Sequence, residues 1–135
     1  MLQNWLTPSK VSTKGYAAHQ LGARIRVYRP EQPGTDQAQL ALIGLGAEDA
    51  DAIRQKFYPL AYAFQGLRIV DLGNARRTEA DFLIQLIKEL LDSQLLPILI
   101  GNQPQQALAQ YKAFQELQYL INLITVDERI AFHPE

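Results

Sequence analysis

The sequence predicts an α/β fold: a three-layer α/β/α sandwich with a mainly parallel sheet of about four core strands. Two observations predict it. Short apolar runs, which suit strands covered on both faces, alternate with segments whose apolar residues recur at helical spacing. Glycine turns follow two of these runs, at residues 44–46 and 101–102. Such alternation implies repeated βαβ units with right-handed crossovers.

The composition is that of an ordinary globular chain. Its 135 residues make one domain or a piece of a larger one, and 47% of them are hydrophobic, which is ample for a core. The net charge of −1 gives no electrostatic case for nucleic acid or acidic membranes, so neither is expected as a partner. The chain has no cysteine, no signal-peptide pattern and no apolar run of about 20 residues, so we expect a cytoplasmic protein.

Residues 1–38 are predicted to form an N-terminal extension with one short edge strand, and residues 39–135 to form the α/β domain. In the edge strand, apolar residues alternate with Arg24 and Arg26. Together with Arg29 these side chains make a small basic edge. Its simplest interpretation is that charged side chains on an edge strand block unwanted strand pairing.

Four core strands are predicted, with a helix after each of the first three. The strands are residues 39–44, 67–71, 96–100 and 120–127. The run at 96–100 is predicted to be buried on both faces. The core-facing stripes are Ile53, Phe57, Leu60, Ala61 and Phe64 in the first helix, Leu83, Ile87, Leu90 and Leu91 in the second, and Ala107, Leu108, Tyr111, Phe114 and Leu117 in the third.

Ligands of open parallel sheets bind at the carboxyl ends of the strands, which places residues 101–105 where chemistry is expected. These positions hold Gly, Asn, Gln, Pro and Gln, none of which ionises or is a strong metal ligand. Asn102 could mark an anion site made of backbone N–H groups at a helix start, but a simple helix cap is the favoured interpretation.

The residues at other strand ends can be interpreted either as ligand-binding residues or as ordinary turn residues. Asp71 and Asp127 both end strands and could share a metal, but a turn-capping aspartate is more common. Gly44 and Gly46 hint at a dinucleotide turn, but Asp49 stands at the third glycine position, so tight-turn glycines are favoured. The two histidines, at positions 19 and 133, are expected to be solvated.

Several segments, in order along the chain, resemble the N-terminal part of the ureohydrolase superfamily (arginase, agmatinase and formimidoylglutamase). The resemblance is nearest to a formimidoylglutamase-like branch. It covers most of this chain but only the first part of the family's domain. The matching segments are residues 40–46, 51–60, 67–74, 95–102 and 123–132.

The resemblance implies a hydrolase scaffold with degenerate metal motifs. Family catalysts hold two manganese ions, which activate a hydroxide that attacks a guanidinium or amidine carbon. The first metal motif, Gly-Gly-Asp-His-Ser, falls on residues 101–105, where Gly101 is kept and Pro104 replaces the ligand histidine. The second, Asp-Ala-His-x-Asp, falls on residues 127–131. There Asp127 is kept and Arg129 replaces a histidine.

Because Arg129 stays protonated, it opposes a divalent cation at that position. Ala131 replaces a further ligand, so Asp127 is the only surviving family ligand. We therefore predict no catalytic residues, no bound metal and no cofactor, manganese being the family's metal. The candidate ligand-site residues are Gly101, Asn102, Asp127, Glu128 and Arg129.

Three functional hypotheses follow. The first is a non-catalytic ureohydrolase-like domain with a structural or interaction role. The second is the N-terminal portion of a longer metal-dependent amidine or guanidino hydrolase. The third is a small-molecule binding module that uses the strand ends at Gly46, Asn74 and Asn102. By resemblance the first three core strands take the order 2-1-3. The fourth strand either lies beside the third, which gives the favoured order 2-1-3-4, or leaves an open sheet edge that invites dimerisation or strand exchange.

Overall fold

The computed structural model describes residues 2–32 and 35–120. A short 3-10 helix at Leu2–Asn4 precedes five strands and four helices. In chain order these are β1 (Leu6–Thr7), α1 (Leu21–Arg24), β2 (Arg26–Val27), β3 (Leu40–Gly44), α2 (Ala47–Phe57), β4 (Ile69–Ala75), α3 (Ala80–Asp92), β5 (Leu96–Ile100) and α4 (Gln105–Glu116).

The strands form one mixed, mostly parallel sheet, so the predicted α/β class is confirmed. The sheet order is β1-β4-β3-β5, and β2 also pairs with β4. Only β1 is antiparallel to its neighbour. The first three predicted core strands, now β3, β4 and β5, lie in the order 2-1-3, but the order of the whole sheet is not the predicted one, because two short strands from the N-terminal segment lie beside β4. The predicted fourth strand, residues 120–127, lies almost entirely outside the described residues.

The N-terminal segment contributes more to the sheet than the single edge strand predicted for it. β2 lies beside the first half of β4, with Arg26 opposite Val70, and β1 lies beside the second half, with Leu6 opposite Ala75. Leu6 is buried in the main core together with Tyr28. The division of the chain at residue 38 stays a prediction.

Helices cover both faces of the sheet because strand side chains alternate between faces. On one face, residues such as Ile43 and Leu72 pack with the buried side chains of α3. On the other face, Leu42 packs with Tyr58, which directly follows α2. α3 has the strongest apolar stripe, and it buries Leu83, Ile84, Leu86, Ile87 and Leu90, most of the predicted set.

Two predicted helix stripes are wrong in register. α2 ends at Phe57 and buries Ala50 and Arg54, whereas Ile53 of the predicted stripe is 43% exposed. α4 buries Ala109 and Ala113 rather than the larger side chains of its predicted stripe. In both helices the buried residues recur at i, i+4, but they are small or charged, so a pattern of large apolar residues does not reveal them.

Two strands also differ from prediction. β4 begins two residues later than expected and continues to Ala75, because Asn74 and Ala75 pair with β1 rather than forming a turn. β5 has the predicted bounds, but it is not buried on both faces: Leu96 is 48% and Ile98 41% exposed. These two side chains lie on the same face of the sheet as α2. That helix does not extend across the sheet to β5, so it leaves them uncovered.

No helix within the described residues is long and apolar enough to cross a membrane.

Candidate functional site

The carboxyl ends of three parallel strands meet at one edge of the sheet. Gly44 ends β3, in register with Asn74 of β4 on one side and with Ile100 of β5 on the other. Ligands of open parallel sheets bind at this edge. The side chains that gather at this edge therefore form the candidate site.

Gly44 is required at this edge because α2 and β4 approach its backbone closely. A Cβ atom at residue 44 would lie 2.0 Å from Asn74 Oδ1 and 2.6 Å from Ala50 Cβ. The chain's own side chains thus fill the space beside the turn. This agrees with a tight-packing glycine and leaves no cradle beside Gly44 for the phosphate of a dinucleotide.

Arg54 of α2 is fully buried beneath this edge. Its guanidinium forms a bidentate pair with Asp71 of β4, in which Nε donates to Oδ2 at 2.8 Å and Nη2 donates to Oδ1 at 2.9 Å. Nη1 donates to Asn74 Oδ1 at 2.8 Å and to Asp51 Oδ1 at 3.0 Å, and Nη2 also donates to Gly73 O at 2.6 Å. A guanidinium has five N–H groups. All of them have acceptors, so none is left for a ligand.

Asp71 is equally saturated. Besides the two bonds from Arg54, Tyr58 Oη donates a short hydrogen bond to Oδ2, and Gly73 N donates to Oδ1 at 2.9 Å. The bond from Gly73 is the turn-capping interaction predicted for Asp71. A carboxylate offers about four acceptor positions, and this fully buried one uses them within the chain.

The charge states of Arg54 and Tyr58 follow from their burial and from their contacts with Asp71. Burial alone lowers the pKa of Arg54, but hydrogen bonding and attraction to Asp71 outweigh it and raise that pKa. Burial, followed by the negative charge of Asp71, raises the pKa of Tyr58, because a phenolate there would be desolvated and repelled. Arg54 is therefore a cation and Tyr58 a neutral donor at physiological pH.

Asp51 connects the cluster to the N-terminal segment. Its Oδ1 accepts a hydrogen bond from Ser9 Oγ at 3.3 Å, and Ser9 Oγ in turn accepts one from Val11 N at 3.1 Å. Ser9 is 3% exposed, whereas the Asp51 side chain is 25% exposed. The cluster thus holds α2, β4 and the segment after β1 together.

At the end of β5, the predicted site residues Gly101 and Asn102 are exposed. Asn102 Nδ2 donates to Asp49 Oδ2 at 2.7 Å, which joins the end of β5 to the first turn of α2. The N-cap of α4 is Pro104, and it has no side-chain capping bond. The helix-cap interpretation of Asn102 is therefore wrong, because its side chain bonds to the neighbouring helix instead.

The other predicted site residues, Asp127, Glu128 and Arg129, lie outside the described residues, so their spatial relation to Gly101 and Asn102 stays a prediction. The same holds for the shared site of Asp71 and Asp127. His19 is exposed, as expected, and His133 also lies outside the described residues. Within residues 2–32 and 35–120, no group of three or more His, Cys, Asp or Glu side chains could hold a metal ion.

The sequence analysis missed Arg54. The available signal was its spacing: Ala50, Arg54 and Tyr58 recur at intervals of four, and an aspartate follows in the next predicted strand. Charged residues are almost never fully buried unless they are paired, so a periodicity argument assigns them to the surface.

Comparison with protein-family models, with curated proteins and with solved structures gave no match. The ureohydrolase resemblance therefore rests on the sequence segments alone and stays a prediction.

Proposed function

We propose that this chain is a non-catalytic ureohydrolase-like domain with a structural or interaction role. The observation that carries the proposal is the chemistry at the end of β5. Pro104, the N-cap residue of α4, stands where the resemblance places a ligand histidine, and the nearby Asn102 amide is bonded to Asp49. A dinuclear metal centre needs several anionic or imidazole donors that converge on each ion.

The buried cluster supports the same proposal. Arg54 and Asp71 neutralise each other at this sheet edge, and Asp71 has no acceptor position left with which to bind a metal ion. A structural role fits this cluster because it joins three parts of the chain. The small-molecule alternative has less support, since Asn74 and Asn102 both have intramolecular partners.

Manganese titration by calorimetry tests the absence of a catalytic centre. We expect no saturable binding at micromolar manganese. A variant with Asp127→Ala is the matched control, since Asp127 is the one surviving family ligand. Micromolar binding of two ions per chain that is lost in this variant would overturn the proposal and favour a metal-dependent hydrolase.

For the interaction role, we propose a second copy of the chain as the partner, docked on β5. Among the described residues β5 pairs with β3 alone, and its side chains Leu96 and Ile98 are exposed. Leu96 N donates to the carbonyl oxygen of Gln39, the residue before β3, at 2.9 Å. Because the backbone N–H groups of successive strand residues point to opposite sides of the strand, the nitrogen of Pro97 faces away from β3. Proline lacks an N–H group, which weakens main-chain pairing at the edge. The contact therefore depends on the apolar side chains.

Sedimentation of the full chain tests this partner. We expect a dimer that Ile98→Lys converts to a monomer, because a lysine pair in an apolar contact is repulsive and desolvated. Leu108→Lys changes a side chain of similar exposure, 50%, on α4, and should leave the dimer intact. A wild-type chain that stays monomeric at all attainable concentrations would contradict the proposed partner without bearing on the metal centre.

A further inference from the structure

Three arginines line a cavity at the amino ends of β2 and β4, the end of the sheet opposite to the candidate site. The cavity has a volume of about 250 Å³. Arg24 comes from α1, Arg26 from β2, and Arg68 from the segment just before β4. The remaining lining residues are Ala38, Tyr62, Gly66, Leu67 and Ile69.

The fold brings these arginines together from distant parts of the sequence. Parallel pairing sets Arg26 opposite Val70 at the start of β4. Arg68 is fixed by its backbone: its N–H donates to Gln39 Oε1 at 3.0 Å, and its carbonyl accepts a bond from Gln39 N at 2.9 Å. An edge-blocking role explains Arg24 and Arg26 but gives no reason for Arg68 to join them.

Among the described residues, no carboxylate forms a salt bridge with this cluster of arginines. Each donates from one nitrogen to a main-chain carbonyl: Arg24 Nε to Ala18 O at 2.7 Å, Arg26 Nη1 to Asp36 O at 3.1 Å, and Arg68 Nε to Gln37 O. These bonds orient the guanidinium groups, and their other N–H groups have no acceptor among the described residues.

Like charges that line one cavity repel one another, and a bound anion relieves that repulsion. Arginine forks match the oxygen atoms of phosphate and carboxylate groups. The cavity also has an apolar wall, because Tyr62 and Ile69, which line it, pack against the buried group of side chains that includes Leu42 and Tyr58. Tyr62 N is bonded to His19 O at 2.7 Å, which holds this wall in place.

We propose that this cavity binds a small organic phosphate: the arginines hold the phosphate group, and the apolar part of the ligand lies against Tyr62. The volume of about 250 Å³ admits a phosphate with a group about the size of one ring. This site is independent of the ureohydrolase resemblance and of the proposed dimer contact.

Nitrogen-15 NMR titration of the full chain tests the proposal, with phenyl phosphate and inorganic phosphate as probes and sodium chloride at matched ionic strength. We expect saturable shifts at residues 24–26 and 62–69, and tighter binding of phenyl phosphate than of inorganic phosphate. Benzoate is the second arm: it should bind more weakly, because a carboxylate carries one charge and two acceptor oxygens. Tighter binding of benzoate would reassign the site to carboxylates and overturn the proposal.

Substitutions then locate the site. Arg68→Gln should weaken phenyl phosphate binding about tenfold, the effect of losing one charge-assisted hydrogen bond, and Arg26→Gln provides a second test if the first variant unfolds. Arg77→Gln removes the same charge elsewhere on the surface and should leave binding within about twofold, since only non-specific attraction changes. Equal losses in all three variants, or shifts that sodium chloride reproduces, would overturn the proposal.

Discussion

Arg54 and Asp71, both fully buried, form a two-pronged ion pair that ties α2 to β4. They come from different elements, and each makes every hydrogen bond its side chain allows. Burying two charges costs several kcal/mol per ion, which the pair offsets only if its geometry and its further hydrogen bonds are good. The additional partners Asn74, Gly73 and Tyr58 supply those bonds.

Replacing Arg54 with methionine should reduce the free energy of unfolding by about 3–5 kcal/mol, because it leaves the buried carboxylate of Asp71 without its counter-ion. Urea unfolding followed by circular dichroism measures this. Arg77→Met is the matched control: its pair with Glu79 has both side chains more than 60% exposed, so stability should hardly change.

A second variant distinguishes the effect of leaving Asp71 without its counter-ion from the effect of losing the packing of the Arg54 side chain. Adding Asp71→Asn to Arg54→Met removes the unpaired charge, so the double variant should be more stable than Arg54→Met alone. If the two variants are equally unstable, lost packing rather than an uncompensated charge explains the first result.

Tyr58→Phe should remove a pH dependence of stability at high pH. Since the pKa of Tyr58 is raised in the fold, the unfolded chain loses this proton above about pH 10, where the folded chain still keeps it. The unfolded state then binds fewer protons, so stability falls as pH rises. Urea unfolding between pH 8 and 11 should show a steeper fall in the wild type than in Tyr58→Phe. Parallel curves would contradict this.

Gly73→Ala should destabilise the chain far more than Gly15→Ala. Both glycines have positive φ, +81° and +85°, so both substitutions carry a backbone cost of about 1–2 kcal/mol. At Gly73 the new Cβ would also lie 2.2 Å from Thr7 O and 2.9 Å from Pro8 Cα, whereas it meets nothing within 4 Å at Gly15. Thermal unfolding of the two variants, measured side by side, isolates the cost of that contact.

The register of α4 can be tested with two substitutions on opposite sides of the helix. Ala113 is fully buried, so Ala113→Leu should cost about 1–3 kcal/mol through overpacking between α4 and the core. Leu108 is 50% exposed, so Leu108→Lys should be tolerated. The stripe predicted from the sequence buries Leu108 and not Ala113, so it implies instead that Leu108→Lys is the more destabilising substitution.

Sequence reasoning located the elements whose patterns are uniform. β3 and β5 were predicted within one residue of their bounds, because a short continuous apolar run between two turns is typical of a buried strand. α3 was found because its many large apolar residues must be covered. The extension of β4 was not found, because it depends on β1, whose two residues carry no strand pattern of their own.

The candidate site was harder to predict than the fold. The carboxyl end of the sheet was expected from topology, and Asn102 does lie there, but its partner Asp49 belongs to another helix. Arg54 was missed because its burial depends on Asp71, which lies 17 residues further along the chain. The spacing of residues within α2 alone does not reveal an ion pair between α2 and β4, because only the tertiary fold brings the two partners together.

The pairing of β1 with the end of β4 has a consequence for how the chain is made. The hydrogen bond from Arg76 Nε to Leu6 O joins residues 70 positions apart. At synthesis rates of about 5–20 residues per second, roughly 4 to 14 s pass between the emergence of the two partners from the ribosome. During that interval β1 has no strand to pair with, so it can join the sheet only after the whole of β4 has been made.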